Sequence, residues 1–157
     1  MPLHTRHLEI VPSTPEEVRA QIARMSERER AELSPQWLER LKAATTVDPW
    51  VLGFSLVLHD TGAVVGTCGF KGPPDSDGMV EIAYGIDSAH QNNGYATEAA
   101  AALVRFALAS DEVRVVRAHT MDRIGASARV LAKCDFRPLG QVVDPEDGIV
   151  WRWEIEK

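Results

Sequence analysis

The feature that most constrains this chain is an abrupt change of texture near its middle. The segment 79-MVEIAYGID-87 has the character of a strand. The segment 90-HQNNGYATEAA-100 then passes through a turn of little side-chain bulk into an alanine-rich helix. A helix start exposes backbone N–H groups that have no partner within the helix, and it carries a partial positive charge. A turn that aims several such groups at one point is an anion site well suited to phosphate, and glycine serves where approach must be closest. The loop is neither the GxxxxGK[ST] loop of nucleotide hydrolases nor GxGxxG. A plain helix start would also account for Gly94, so the loop by itself leaves both readings open.

The rest of the chain sets this unit in a mixed α+β order. Leu8, Ile10 and Val11 predict a first short strand. In 13-STPEEVRAQIARM-25, Thr14 suits an N-cap, Pro15 the first turn, and Glu16 and Glu17 the positive helix end. A second helix opens with the same Ser-Pro signal in 34-SPQWLERLKAA-44. The segments 50-WVLGFSLVLHD-60 and 63-AVVGTCGFKG-72 read as a hairpin about the turn 61-TG-62. After the strand at 79–87 come a helix from about Gly94 to Ala109, a strand at 113–120 and a helix at 125–134. A closing hairpin pairs 136–143 with 148–156 through Asp144–Asp147. Hairpins early and strand–helix–strand units late give an α+β, or mixed α/β, pattern.

Bulk properties exclude several classes. At 157 residues, with 45% apolar and 25% charged residues, the chain reads as one soluble globular domain. Its apolar runs fall short of the roughly 18–20 residues that span a bilayer, and MPLHTRHLEIVPS lacks a signal-peptide pattern. No membrane partner is expected. Net charge is −6, which disfavours a nucleic-acid partner and suits a cationic or amine-bearing one. Cys68 and Cys134 show no paired spacing and read as free thiols of a reducing cytoplasm. His4, His7, His59 and His90 show no ligand spacing, so no metal is expected.

The form Q-x-x-G-x-A after a strand, filled by Gln91, Gly94 and Ala96, resembles the acetyl-CoA pyrophosphate loop of the GNAT superfamily of N-acetyltransferases, whose pattern is Q/R-x-x-G-x-G/A. The surroundings are similar too: VEIAYGID before the loop, GYATEAA after it, then RAHT, SARVLAK and a terminal WRWEIE. The run from Gly66 to Glu156 resembles the branch related to ribosomal-protein N-acetyltransferases, while residues 1–50 match only in general layout. The resemblance implies a single domain over residues 1–157. Its fold would be a central mixed, splayed sheet of about seven strands flanked by about four helices.

It further implies acetyl-CoA as co-substrate, with its pantetheine arm in a gap between the family's fourth and fifth strands, here 79–87 and 113–120. Ala83, Tyr84, Gly85 and Ile86 would line the arm. Gln91, Asn92, Asn93, Gly94, Tyr95 and Ala96 would hold the pyrophosphate, with Thr97 close by. A splayed sheet leaves unpaired backbone groups that a ligand can meet. The implied reaction is direct attack of an amine on the thioester. Glu81 is the candidate base, on the face of its strand opposite Val80 and Ile82. The acceptor would be a small-molecule amine or a protein N-terminal amine, and dimers through sheet edges are common in the family.

The chain also departs from the family. The usual tyrosine acid on the later helix is absent, and Leu131 stands there. Ser127, one turn earlier, is the candidate hydrogen-bond donor to the departing sulfur, although a serine near a helix start can also bond its own backbone. Asn93 replaces a common basic residue and tolerates the unusual backbone angles of a nest. Ile124 replaces an asparagine, and Asp135 a glycine. These departures sustain a second reading, an acyl-CoA-binding sensor with impaired turnover. His119 is expected to be structural, Trp151 and Trp153 a core-facing pair, and Trp37 and Trp50 buried.

Overall fold

A computed structural model describes residues 2–145 and 147–157. Met1, in the N-terminal segment, and Glu146, in the predicted 144–147 turn, lie outside the described residues. The strands are β1 (Leu3–His4), β2 (Leu8–Pro12), β3 (Phe54–Leu58), β4 (Val64–Phe70), β5 (Met79–Ile86), β6 (Val115–Thr120), β7 (Arg137–Asp144) and β8 (Gly148–Glu156). The helices are α1 (Pro15–Ala23), α2 (Glu27–Ala31), α3 (Pro35–Ala43), α4 (Pro49–Leu52), α5 (Tyr95–Leu108) and α6 (Ala126–Lys133), with a 3₁₀ turn at Ser88–His90. The strands make one 8-stranded sheet in the order β1-β2-β3-β4-β5-β6-β8-β7.

Three elements differ from expectation. The short edge strand β1 raises the strand count above seven. The five-residue helix α2 is set by a capping box in which Ser26 accepts from the Glu29 amide and Glu29 from the Ser26 amide. Residues 50–52, expected at the head of a strand, form helix α4, because Asp48 accepts from the Trp50 amide and Pro49 occupies the first turn. Helix α1 carries the predicted Thr14 cap, completed by Glu17 into a capping box.

The sheet is antiparallel from β1 to β5 and between β6, β8 and β7, while β5 and β6 run parallel. That parallel ladder holds at only three positions, Met79↔Val115, Val80↔Val116 and Glu81↔Arg117. Beyond Glu81 the strands part. Ile82 to Ile86 stay paired with β4 alone, and Ala118 to Thr120 with β8 alone. The gap lies where the family resemblance puts it.

Helix α5 packs its small face, including Ala99, Ala100, Leu103 and Ala107, into the main core with Ile10, Leu56, Val65 and Val80 of the strands. Alanines keep that face flat, so helix and sheet approach closely. Val18, Leu41, Val51 and Leu52 form a second, smaller cluster. Both cysteines are free, and burial pushes the Cys68 thiol up to about 12. Among the described residues no helix is long and apolar enough to cross a membrane.

Candidate active site

The loop into α5 is built to present backbone. Asn92 and Gly94 take left-handed angles, φ 66° and 82°. The positive φ therefore falls on Asn92, not on Asn93 as the sequence suggests. Asn93 serves differently, its side-chain amide donating to the His90 and Gln91 carbonyls at 3.0 and 3.2 Å. Gln91 donates to the Ile86 carbonyl at 3.0 Å, fastening the loop to the end of β5. No side chain caps α5. The backbone bond at its start runs from the Glu98 amide to the Gly94 carbonyl, so the Tyr95, Ala96 and Thr97 amides point out of the helix end.

These amides face a cleft of about 520 Å³ between the splayed end of β5 and helix α6. Tyr84, Gly85 and Ile86 form one wall. Gln91, Asn92, Gly94, Tyr95, Ala96 and Thr97 close one end, and Ser127, Arg129, Val130 and Lys133 come from α6. Arg129 and Lys133 are four apart on the helix and so share a face. The cleft thus combines uncapped amides, a helix N-terminus and two cations. A coenzyme A pyrophosphate fits such a donor set. Space fits as well: a Cβ added at Gly85 or Gly94 would meet no protein atom within 4 Å. The buried Nδ1 of His90, which also lines the cleft, has no hydrogen-bond partner among the described residues.

A second cleft, of about 570 Å³, lies between α1, α3, β4 and β5. Val18, Ile22, Trp37, Phe54 and Phe70 make it largely apolar, and Glu32 and Lys71 are its charged residues. Tyr84 lines both clefts, so they meet at β5. Burial holds its phenol well above the ordinary range, with the neighbouring Cys134 thiol adding to the effect, so Tyr84 remains a hydrogen-bond donor at physiological pH.

Glu81 sits at the fork of β5 and β6, inside a chain of polar contacts. Its Oε2 lies 2.9 Å from Lys71 Nζ and 2.9 Å from His119 Nδ1. Arg152 Nε donates to His119 Nε2 at 3.1 Å. A guanidinium only donates, so Nε2 carries the lone pair and Nδ1 the proton that reaches Glu81. Burial pulls the Lys71 ammonium down, but the Glu81 hydrogen bond and charge, with the charges of Asp147 and Asp144, hold it above its ordinary value. His119, structural by expectation, is the buried link of this chain.

Of the residues singled out from sequence, Tyr84 to Ile86, Gln91, Asn92, Gly94 to Thr97 and Ser127 share the first cleft. Ala83 lines the second cleft and not the first. Asn93 lines neither, since its side chain is folded back onto the loop. Glu81 lines neither and sits behind Lys71, which does. The Ser127 hydroxyl bonds no described residue, so it is not spent on its own backbone. Leu131 is fully buried in the core. Ile124 is 80% exposed, away from both clefts. Trp37 lines the second cleft and donates to the Val51 carbonyl at 2.6 Å, while Trp50 packs on Phe70 and Phe106. Sequence reasoning missed Arg129 and Lys133, although their i, i+4 spacing on a predicted helix was the signal for a shared cationic face.

Comparison with known proteins agrees with the fold. The family described as acetyltransferase (GNAT) domain matches residues 3–137. The chain is 36% identical over 90 residues to an uncharacterized N-acetyltransferase, YjdG, of Bacillus subtilis (strain 168), a match covering 57% of this chain and 51% of that protein. The chain thus spans about half the length of the curated relatives it matches. Among solved structures, the ribosomal-protein-S5-alanine acetyltransferase of Vibrio fischeri superposes with a TM-score of 0.72 at 17% identity, over 99% of this chain and 96% of that one. RimL, a ribosomal L7/L12 alpha-N-protein acetyltransferase solved in complex with coenzyme A, superposes with a TM-score of 0.70 at 15% identity, over 99% and 98%.

Proposed function

The chain belongs to the GNAT acetyltransferase family, and from that premise we propose that it is an N-acetyltransferase, a single domain over residues 1–157, that moves an acetyl group from acetyl-CoA to a primary amine. The observation that carries this reading is the uncapped, left-handed start of α5 opening onto a cleft that also holds Arg129 and Lys133. Uncapped amides are costly unless something meets them, and a pyrophosphate does so with matched charge. The pantetheine arm runs past Gly85 along the unpaired edge of β5. Free thiols suit the reducing cytoplasm in which such an enzyme would work.

Acetyl-CoA supplies the thioester. The acceptor enters from the apolar second cleft, which meets the first at Tyr84. Its amine must be neutral to attack; an alkyl-ammonium has a pKa of about 10 and an α-amine nearer 8, so one proton leaves first. Glu81 takes that proton through water beside Lys71. The amine nitrogen bonds to the carbonyl carbon and the C–S bond breaks. The Ser127 hydroxyl hydrogen-bonds the departing thiolate, which takes up the nitrogen's second proton, so that an amide and the free coenzyme A thiol result. The apolar walls favour an acceptor with an uncharged body next to its amine. The ribosomal-protein acetyltransferases among the fold neighbours support a protein N-terminal amine as one such acceptor. The sensor reading loses ground because Ile124 and Asp135 line neither cleft, so these departures remove no wall of the site.

Calorimetric titration with acetyl-CoA, with dephospho-CoA and ATP as comparisons, tests the cofactor assignment. Thiol release over a panel of peptides and small amines tests transfer. Tight acetyl-CoA binding with no release on any amine would return the sensor reading. Glu81→Gln should leave acetyl-CoA affinity unchanged and lower kcat by about 10²–10⁴. A variant that loses thermal stability but keeps its turnover and pH profile would make Glu81 a structural link between Lys71 and His119 and nothing more.

A further inference from the structure

The outer end of the sheet gathers three side chains that line neither cleft. His4 stands directly across from Glu9 in the β1/β2 ladder. His59 follows Leu58, which pairs with Leu8, and the His59 amide donates to the His7 carbonyl at 3.0 Å. This register stacks the His4 and His59 rings, with centroids 5.7 Å apart and planes 9° from parallel. One ligand-capable atom from each of His4, Glu9 and His59 lies within 4.8 Å of the other two. Ligands bound to one tetrahedral zinc ion at about 2.0–2.1 Å lie roughly 3.4 Å apart, so side-chain rotations that draw the three closer bring them onto a common point.

The hydrogen bonding leaves each of the three residues a free ligand atom. His59 Nε2 lies 3.1 Å from the Thr5 carbonyl oxygen. A carbonyl only accepts, so Nε2 carries the proton and Nδ1 offers its lone pair. Metal-bound imidazoles are oriented in this way, with the second ring nitrogen donating to a backbone carbonyl. No hydrogen bond with any described residue engages the His4 ring or the Glu9 carboxylate. Two imidazoles and one carboxylate make a mixed nitrogen and oxygen set. It suits zinc and its transition-metal neighbours, and not calcium or magnesium, which take oxygen ligands.

We propose that His4, Glu9 and His59 bind a divalent transition-metal ion, Zn²⁺ being the best match, and that the ion clasps the edge strand β1 onto β2 and the end of β3. With two ligands exposed, water completes the coordination. The clasp is linked to helix α5 through Thr5. Thr5, whose carbonyl holds His59, also donates its hydroxyl to Glu98 at 2.5 Å in the first turns of α5. An ion at this point would fix the 5–7 loop against the helix that opens toward the cofactor. The proposal does not depend on the acetyltransferase reading.

The test is calorimetric titration of the chelator-stripped full chain with Zn²⁺ alone, followed by Co²⁺ substitution. Saturable binding of about one ion per chain is expected, with each of His59→Ala, His4→Ala and Glu9→Gln weakening it by about tenfold or more. Cys134→Ser should bind as the parent does, and the Co²⁺ form should lack a thiolate charge-transfer band. The metal-free melting temperatures of the variants show that each remains folded, and Glu9→Gln serves if a histidine variant does not. No saturable binding by the parent, undiminished affinity in the folded variants, or loss in Cys134→Ser would each overturn the site.

Discussion

Gly85 separates the fold from the cofactor more cleanly than any other residue. It lies on an ordinary stretch of β5, and a side chain there would meet only the space of the first cleft. Gly85→Val should therefore fold as well as the parent, since valine suits a strand, yet lose acetyl-CoA affinity by about tenfold or more by filling the place of the pantetheine arm. Equal affinity, measured by titration alongside an unchanged melting temperature, would remove β5 from the cofactor site. Gly94 tests the same cleft less cleanly, because its φ of 82° strains any replacement regardless of space. Asp135 shows the converse case. It sits at φ 69° just past α6, its amide bonded to the Ala132 carbonyl and the Phe136 amide to Leu131, a Schellman ending that usually takes glycine. Asp135→Gly should raise stability by up to about 1 kcal/mol without changing acetyl-CoA affinity. A lower denaturation midpoint would show that the Asp135 side chain contributes something the backbone does not. Sequence alone flags Asp135 as a departure from the family, but only the fold shows that it is a matter of helix ending and not of cofactor.

Helix α6 carries its chemistry as an element, because its i, i+4 spacing places Arg129 and Lys133 together on the cleft. In the proposed cofactor site the pair would stand in for the cation that Asn93 does not provide. Arg129→Ala with Lys133→Ala should weaken acetyl-CoA binding and flatten its dependence on salt, since screened phosphate attraction is what is lost. An unchanged salt dependence would leave the phosphates to the α5 amides alone. Helix α5 is anchored at its other side by Glu98, which takes the Thr5 hydroxyl, the His7 amide at 2.9 Å and the His7 ring at 2.7 Å. Burial pushes this carboxyl up, but the bonds from Thr5 and His7 and the charge of His7 outweigh it and hold it below its ordinary 4.5. As pH falls, the unfolded chain takes up this proton before the folded one does. The anchor's stabilisation is therefore complete above the ordinary carboxylate range and is lost as pH drops through the lower folded value. Glu98→Gln should flatten the acid limb of the stability curve and cost about 1 kcal/mol at neutral pH; an unchanged acid limb would show that the anchor is not what fails in acid. Elements as short as these test the limits of pattern reading. The Ser26–Glu29 capping box is present in the sequence, but ERERA has no apolar periodicity to announce a helix. In α4 the Asp48-Pro49 start was equally legible, but the apolar run behind it reads as strand.

At the scale of the whole molecule, the sheet is two antiparallel sheets joined by three residue pairs. The long helices, the Gly94 turn and the position of the gap were readable, because each depends on contacts local in sequence or on the family's order of elements. The partners across the gap were not. Lys71 and His119 meet at Glu81, and Arg152 reaches His119, only because β4 and β6 flank β5 and β8 lies beside β6 in the sheet, and no spacing along the chain encodes that. The same topology makes a prediction that local chemistry cannot make. The unpaired edge of β5 from Ile82 to Ile86 opens toward the proposed cofactor arm, and a ligand that bonds it would act as the missing strand between the two sheets. Acetyl-CoA at a hundred times its Kd should stabilise the chain by about 2.7 kcal/mol through linkage alone. Hydrogen exchange should show where that stabilisation acts. Amides facing the gap in β5, and those of the loop from Gln91 to Thr97, should gain protection together, while α1 and α3 should change little. Protection confined to the loop would mean that the pyrophosphate is held but the arm does not run along β5, and the gap would then have some other occupant.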